Sequence, residues 1–428
     1  MRIAFITAGA AGMFCGSCMR DNTLAAALIA QGHDALLVPT YTPITTDETD
    51  VSGGRVFFGG INVYLQEKSR FFRATPWLLD RIFDQRWLLK WVSRFAARTP
   101  YSELAELTVS MLKGVHGHQS KEVAKLAEWL AAEVKPDVIV LTNVLLSGIV
   151  PELKRRLGVP ILATLQGDDV FLDALPRAAQ IECAALIREN AKSLAGFLVT
   201  SRFYVDRMAN ALGLDRTTMR VVYPGINLKG HGGKHAASVP PRIGYFARIC
   251  PEKGFDRLVD AFIAMRKTTA APALLRASGW LGEGNKAFFA EQVAKLHAAG
   301  LGDDFHYEPA PDHASKVKFL QNIDLFCVPT VYQEPKGLYV LEAWANGLPV
   351  VLPRHGTFPE LIEATRAGVL VPPGDTNALA AELARLLADP AERARLGGLG
   401  LAAVTSRYTA DVMARETLTV LREFVPHA

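Results

Sequence analysis

The chain has 428 residues, half of them hydrophobic and 21% charged, an ordinary globular composition with apolar material for two cores, which excludes a disordered chain. A formal net charge of +4 falls well short of the basic patches of a dedicated nucleic-acid binder, so no nucleic acid is expected among its partners. Five cysteines, scattered apart from Cys15 and Cys18, make no disulfide framework and fit a reducing cytoplasm. The opening Met1 to Gly12 carries one arginine before a short apolar run that passes straight into a glycine bend, which reads as a buried strand and not as a signal peptide. No apolar stretch approaches the roughly 20 residues needed to span a bilayer.

In chain order, short apolar runs bounded by turn residues alternate with helical patterns, the signature of parallel βαβ units. The first half predicts strands at Arg2 to Thr7, Asp34 to Thr40, Asp137 to Asn143, Pro160 to Gly167, Gly196 to Ser201 and Met219 to Gly225, with helices at Thr23 to Gln31, Lys121 to Glu133 and Gln180 to Ser193. A stretch rich in Gly, Lys, His and Pro, Asn227 to Pro241, then reads as a linker, and its His231 and His235 lack a third ligand and read as solvated. The pattern restarts with strands at Arg242 to Ile249, Ala273 to Leu281, Asp303 to Ala310, Ile323 to Thr330, Leu348 to Arg354 and Ala367 to Pro373. The expected class is therefore α/β: two doubly wound, Rossmann-like domains, residues 1–226 and 242–408, facing across a cleft at the carboxyl ends of their strands, where such sheets bind ligands. A last helix, within 409–428, follows.

Two segments of the second half carry chemistry. In "QEPKGLYVLEAWANG", Glu334 falls in a turn and Glu342 in the helix after it, and the helix start leaves main-chain N–H groups of Lys336, Gly337, Leu338 and Tyr339 for an anion. An anion site flanked by two carboxylates suits a phosphorylated sugar nucleotide whose hydroxyls the carboxylates would accept, and two solvated helix-end glutamates are the plain alternative. In "GYFARICPEKGF", Arg248 and Lys253 lie on a strand-to-helix loop where two cations can grip a diphosphate and Gly254 permits a close bend, the alternative being a solvated basic loop.

The series "ARICPEKG", "SGWLGEG", "IDLFCVPT", "EPKGLYVLEAWANGLPVV" and "GVLVPPGD" resembles the donor-binding half of the family 4 glycosyltransferases, retaining enzymes of the GT-B fold, and "LAAALIAQGHDALLVPT" and "VVYPGIN" resemble parts of their acceptor half. The resemblance implies a nucleotide-diphosphate sugar as co-substrate, an acceptor hydroxyl on a glycan, lipid or small molecule, and no metal or bound cofactor. By position it implies that Arg248 and Lys253 stabilise the departing diphosphate, that Glu334 contacts the donor sugar and Glu342 the ribose, and that Gly16 and Gly12 let main-chain amides approach the donor phosphate. It also implies that the last helix crosses back onto the first domain. The sequence departs from the family pattern in three places. Lys336 stands where an aromatic residue is common, which suggests either a preference for an acidic sugar or a solvent-facing lysine. Gln166 replaces a histidine before "GDD", leaving Gln166, Asp168 and Asp169 to orient an acceptor through hydrogen bonds, and the glycine pair of the opening loop is half kept.

Cys15 and Cys18 at a helix start read as small fillers, with a redox pair as the alternative. The insertion at about residues 65–119 matches little of the family; its stretch Arg70 to Arg98 interleaves Trp77, Trp87 and Trp91 with arginines and reads as a lid or acceptor wall, or as a basic amphipathic helix on an anionic membrane surface. A cytoplasmic enzyme, with or without contact at the inner membrane face, is the expectation. A nucleotide-sugar 2-epimerase and a silent nucleotide-sugar-binding protein on the same plan remain open alternatives.

Overall fold

The computed structural model describes residues 1–9, 15–52, 101–232, 238–269 and 271–425. Gly12, His235 and the stretch Arg70 to Arg98 lie outside the described residues. The chain divides into two compact units, Met1–Tyr223 with Met413–Ala428, and Pro224–Val412.

The first unit is built on a six-stranded sheet of β1 (Arg2–Thr7), β2 (Asp34–Pro39), β3 (Val138–Leu141), β4 (Ile161–Leu165), β5 (Gly196–Val199) and β6 (Met219–Val221), in the order β2-β1-β3-β4-β5-β6. All its ladders are parallel. Strands buried on both faces need no alternation, which is why β3 reads "VIVL" and β4 "ILATL" with every residue buried. Between β1 and β2 runs the helix Gly16–Ala30, which starts seven residues before the apolar pattern predicts. Its early turns bury Arg20, Asp21, Asn22 and Thr23 instead of apolar residues, so the helical period is hidden there. The helix Ala410–Phe424 closes this unit: Arg220 pairs with Glu423 at 2.9 Å, and its buried stripe of Met413, Ala414, Leu418 and Leu421 follows helical spacing.

The second unit repeats the plan with β7 (Arg242–Phe246), β8 (Leu274–Ser278), β9 (Phe305–Glu308), β10 (Leu325–Cys327), β11 (Val350–Pro353) and β12 (Gly368–Val371), all parallel, in the order β12-β11-β10-β7-β8-β9. Strand order reverses between β7 and β10, so the loops after these two strands part to opposite sides and leave the crevice at which open α/β sheets bind ligands. β10 is shorter than its apolar run: Pro329 has no N–H to donate, and the chain turns there to meet Gly254. A Cβ on Gly254, at φ +70°, would lie 1.9 Å from the Pro329 carbonyl oxygen, so only glycine admits this approach. His231, at the start of the expected linker, is not loose: its Nδ1 lies 2.8 Å from Asn346 Nδ2 and its ring stands edge-on to His313. Among the described residues no helix is long and apolar enough to cross a membrane.

Candidate active site

At the switch point of the second sheet, the loop after β7 and the loop after β10 meet around one carboxylate. Glu334 is 3% exposed, and its Oε2 accepts from Lys253 Nζ at 2.7 Å, from the Tyr332 hydroxyl at 2.5 Å and from the Tyr339 hydroxyl at 3.1 Å. Lys253 Nζ also donates to the Tyr332 hydroxyl at 2.6 Å and stands 4.9 and 4.8 Å from the centres of the Tyr332 and Tyr339 rings. Burial would raise the Glu334 carboxyl, but the Lys253 charge and bond, the Tyr332 bond and the Lys336 charge outweigh it and hold the group down to about 2. Burial and the same carboxylate push the phenols of Tyr332 and Tyr339 well above their ordinary range, so both stay protonated donors.

The backbone fixes this cluster. Gly254 starts the helix Phe255–Thr268 immediately after Lys253. The Glu334 carbonyl accepts from Thr357 N at 2.8 Å, and Gly356, at φ +62°, packs so closely that a Cβ there would lie 2.6 Å from Glu334 N.

Sequence reasoning expected four free amides at the start of the helix Leu338–Ala345. Two of them, on Lys336 and Gly337, face Glu334 Oε1 at 3.3 and 3.4 Å, while those of Leu338 and Tyr339 have no acceptor among the described residues. Arg248 is half-buried, and its guanidinium has no hydrogen-bond partner among the described residues, although its charge reaches Tyr332 and Cys250. With Lys253 neutralised by Glu334, the positive charge without an ion-pair partner among the described residues here is that of Arg248, beside the positive end of the helix start. Lys253 uses two of its three N–H donors within the cluster, which leaves one for a ligand oxygen. Glu342 is also buried, and Lys316 Nζ meets its Oε1 at 2.7 Å in an ion pair with 4% and 9% side-chain exposure.

The polar residues of the first unit are braced differently. Asp168 is buried beyond Gly167, which sits at φ +119°, and its two oxygens accept from Val144 N and Gln166 N, both at 2.9 Å. Burial outweighs these bonds and pushes its carboxyl up to about 6. Asp169 accepts from the Tyr204 hydroxyl at 2.6 Å and from Arg207 Nε at 3.0 Å. Gln166 Nε2 donates to Asp21 Oδ2 at 3.1 Å and to the Thr142 carbonyl at 2.7 Å. Gln166, Asp168 and Asp169 are thus hydrogen-bonded within the first unit, and Gln166 ties the ends of β3 and β4 to the helix of Asp21. Gly16 is the first residue of that helix, with Cys15 ahead of it. The Cys18 thiol is pushed well above its ordinary range by its bond with Cys15 and by burial, and a thiol held protonated is a poor nucleophile.

Tyr332, the Tyr339 hydroxyl and Lys316 are the residues sequence reasoning missed. Tyr332 lies 79 residues beyond Lys253, and Lys316 lies 26 before Glu342 on another helix, so no local spacing announces either contact.

Comparison with known proteins finds two domain models on this chain: "Glycosyl transferase 4-like domain" over residues 22–225 and "Glycosyl transferases group 1" over residues 233–399. Among curated relatives, a phosphatidyl-myo-inositol mannosyltransferase of Mycobacterium leprae is 31% identical over 170 residues, 40% of this chain and 43% of that protein. The chain spans about half the length of the first curated relatives it matches. Among solved structures, sucrose-phosphate synthase from Thermosynechococcus elongatus is similar with a TM-score of 0.73 at 19% identity, covering 100% of both chains. HepE of Anabaena, solved in complex with UDP, is similar with a TM-score of 0.68 at 17% identity, covering 99% of this chain and 100% of that one. With both domain models matched in order, and with two parallel six-stranded sheets in a chain that aligns with these structures along its length, the protein belongs to the family 4 type of glycosyltransferases and has the GT-B fold.

Proposed function

We propose that the protein is a retaining glycosyltransferase that moves a sugar from a nucleotide-diphosphate sugar to an acceptor hydroxyl. The observation that carries this reading is the pairing of a buried, ionised Glu334 with Lys253 beside an Arg248 guanidinium that has no hydrogen-bond partner among the described residues, at the strand-order switch of the second sheet. Arg248, the third donor of Lys253 and the amides of Leu338 and Tyr339 take the diphosphate. As the bond between the anomeric carbon and the phosphate oxygen breaks, they oppose the negative charge gathering on the departing nucleotide. The acceptor hydroxyl attacks from the face the phosphate leaves, and a phosphate oxygen receives its proton, so atoms and charge balance without a metal or bound cofactor. Glu334, fixed as an anion, accepts from donor-sugar hydroxyls at Oε1, where its two main-chain bonds are long. Glu342, held by Lys316, accepts from the ribose.

The Anabaena neighbour was solved with UDP and the Mycobacterium leprae relative is named for a lipid acceptor, so UDP-, GDP- and ADP-sugars and glycolipid acceptors belong in the assay. Transfer in excess EDTA with the anomeric configuration kept, read by proton NMR of the product, supports the proposal. An inverted product, an absolute metal requirement, or conversion of the donor without any acceptor contradicts it.

A further inference from the structure

We propose that the second unit carries a second anion site, separate from the nucleotide site, in a cavity of about 640 Å³ on one face of β7, β8 and β9, and that its ligand is a phosphate group. The register sets the lining. Gly244 pairs with Arg276, Arg276 with His306 and Ser278 with Glu308, so Arg242, Arg276, His306 and Glu308 share one face of the sheet. Arg276 sits in mid-strand, where neighbours in a parallel sheet are normally apolar, and the glycine opposite it contributes no side chain to cover it.

The helix His313–Gln321 forms a wall of the cavity with Ser315, Lys318 and Phe319, spaced three and four residues apart, while Lys316 meets Glu342. None of Arg248, Lys253, Glu334 and Glu342 lines the cavity.

Among the described residues, the Arg276 guanidinium has neither a hydrogen bond nor an ion pair, and Lys318 has no ion pair. Arg242 gives Nη1 to the Asn322 carbonyl at 3.1 Å, and its Nε is buried without an acceptor. Burial and the nearby Arg242 charge push the Arg276 guanidinium below its ordinary range, against the pull of Glu308. Asp303 and Glu308 line the same cavity without an ion pair to any of the three cations among the described residues. Like charges on adjacent strands of one face repel, and a dianion whose oxygens match guanidinium forks relieves that repulsion. A cavity of this size also exceeds what a phosphate alone fills, leaving room for a small organic group attached to it.

The test titrates inorganic phosphate by calorimetry into the full chain, into Arg276→Leu and into Arg248→Ala, with melting curves to confirm folding. The expected result is a phosphate affinity that falls about tenfold or more in Arg276→Leu and is kept in Arg248→Ala, with nucleotide binding unchanged in Arg276→Leu. Arg242→Gln should weaken phosphate in the same sense, which guards against a defect peculiar to one variant. Co-sedimentation with phosphatidylcholine vesicles containing phosphatidic acid, lost in Arg276→Leu, assigns the phosphate to a lipid headgroup; soluble binding without it assigns a soluble phosphate. No phosphate binding at millimolar concentration, or binding that depends on Arg248 and not on Arg276, overturns the proposal.

Discussion

Each unit buries a carboxylate beyond the carboxyl end of a parallel strand, and the two are held in opposite ways. Glu334 in the second unit meets a lysine ammonium and two phenols and stays ionised, with its carboxyl held down to about 2. Asp168 in the first unit meets main-chain N–H groups and, among the described residues, no cation, and burial pushes it up to about 6. The carboxylate of Glu334 is locked to an ammonium beside the Arg248 guanidinium, which has no hydrogen-bond partner among the described residues and is the charge we propose for the ligand. The Asp168 oxygens instead clasp the main chain at Val144 and Gln166.

The comparison breaks most sharply at Lys253. Lys253→Ala should cut sugar transfer by about 100-fold or more, and should also cost about 3–5 kcal/mol of unfolding free energy by leaving Glu334 buried without its cation. Lys253→Met with Glu334→Gln should recover much of that stability in urea melts while activity stays lost. Gly254→Ala should lower stability by about 1–3 kcal/mol, because its Cβ would overlap the Pro329 carbonyl, and a melting temperature equal to the parent's would contradict the described approach of the two loops.

Acid separates the two carboxylates by sign. The folded carboxyl of Glu334 lies at about 2, below its ordinary 4.5, so its contribution to stability is fully present above pH 4.5 and is lost as pH falls toward 2. That of Asp168 lies at about 6, above its ordinary 3.8, so its contribution is fully present below pH 3.8 and is lost as pH rises through 6. Urea unfolding across this range should show Glu334→Gln removing the acid-side loss and Asp168→Asn flattening the slope between 3.8 and 6. The smallest expected stability effect is that of Arg248→Ala, within about 0.5 kcal/mol, since its guanidinium has no described partner to lose.

Most strands were legible because buried parallel strands carry apolar runs, and all twelve strands among the described residues lie within the segments expected of them, even β8 and β9, which carry Arg276, His306 and Glu308. The placing of Arg248, Lys253 and Glu334 on the loops after β7 and β10 was legible because turn residues follow these apolar runs. The start of the helix Gly16–Ala30 was not, because buried Arg20 to Thr23 imitate a surface segment. The partners of Glu334 and Glu342 were hidden by distance along the chain: the Tyr332–Lys253 and Lys316–Glu342 bonds exist only once separate βα units are packed. The same holds for one partner of Asp168, the Val144 N–H, which lies 24 residues away along the chain.

The central claim, that free positive charge at the second sheet's switch point takes a nucleotide diphosphate, is tested most directly by calorimetric titration of UDP and GDP into the parent chain and Arg248→Ala. A tenfold or greater loss of affinity, about 1.4 kcal/mol, with the ligand-free melting temperature unchanged, is the predicted result. Equal affinity in the two chains for whichever nucleotide binds, or no binding of either to the parent, contradicts it.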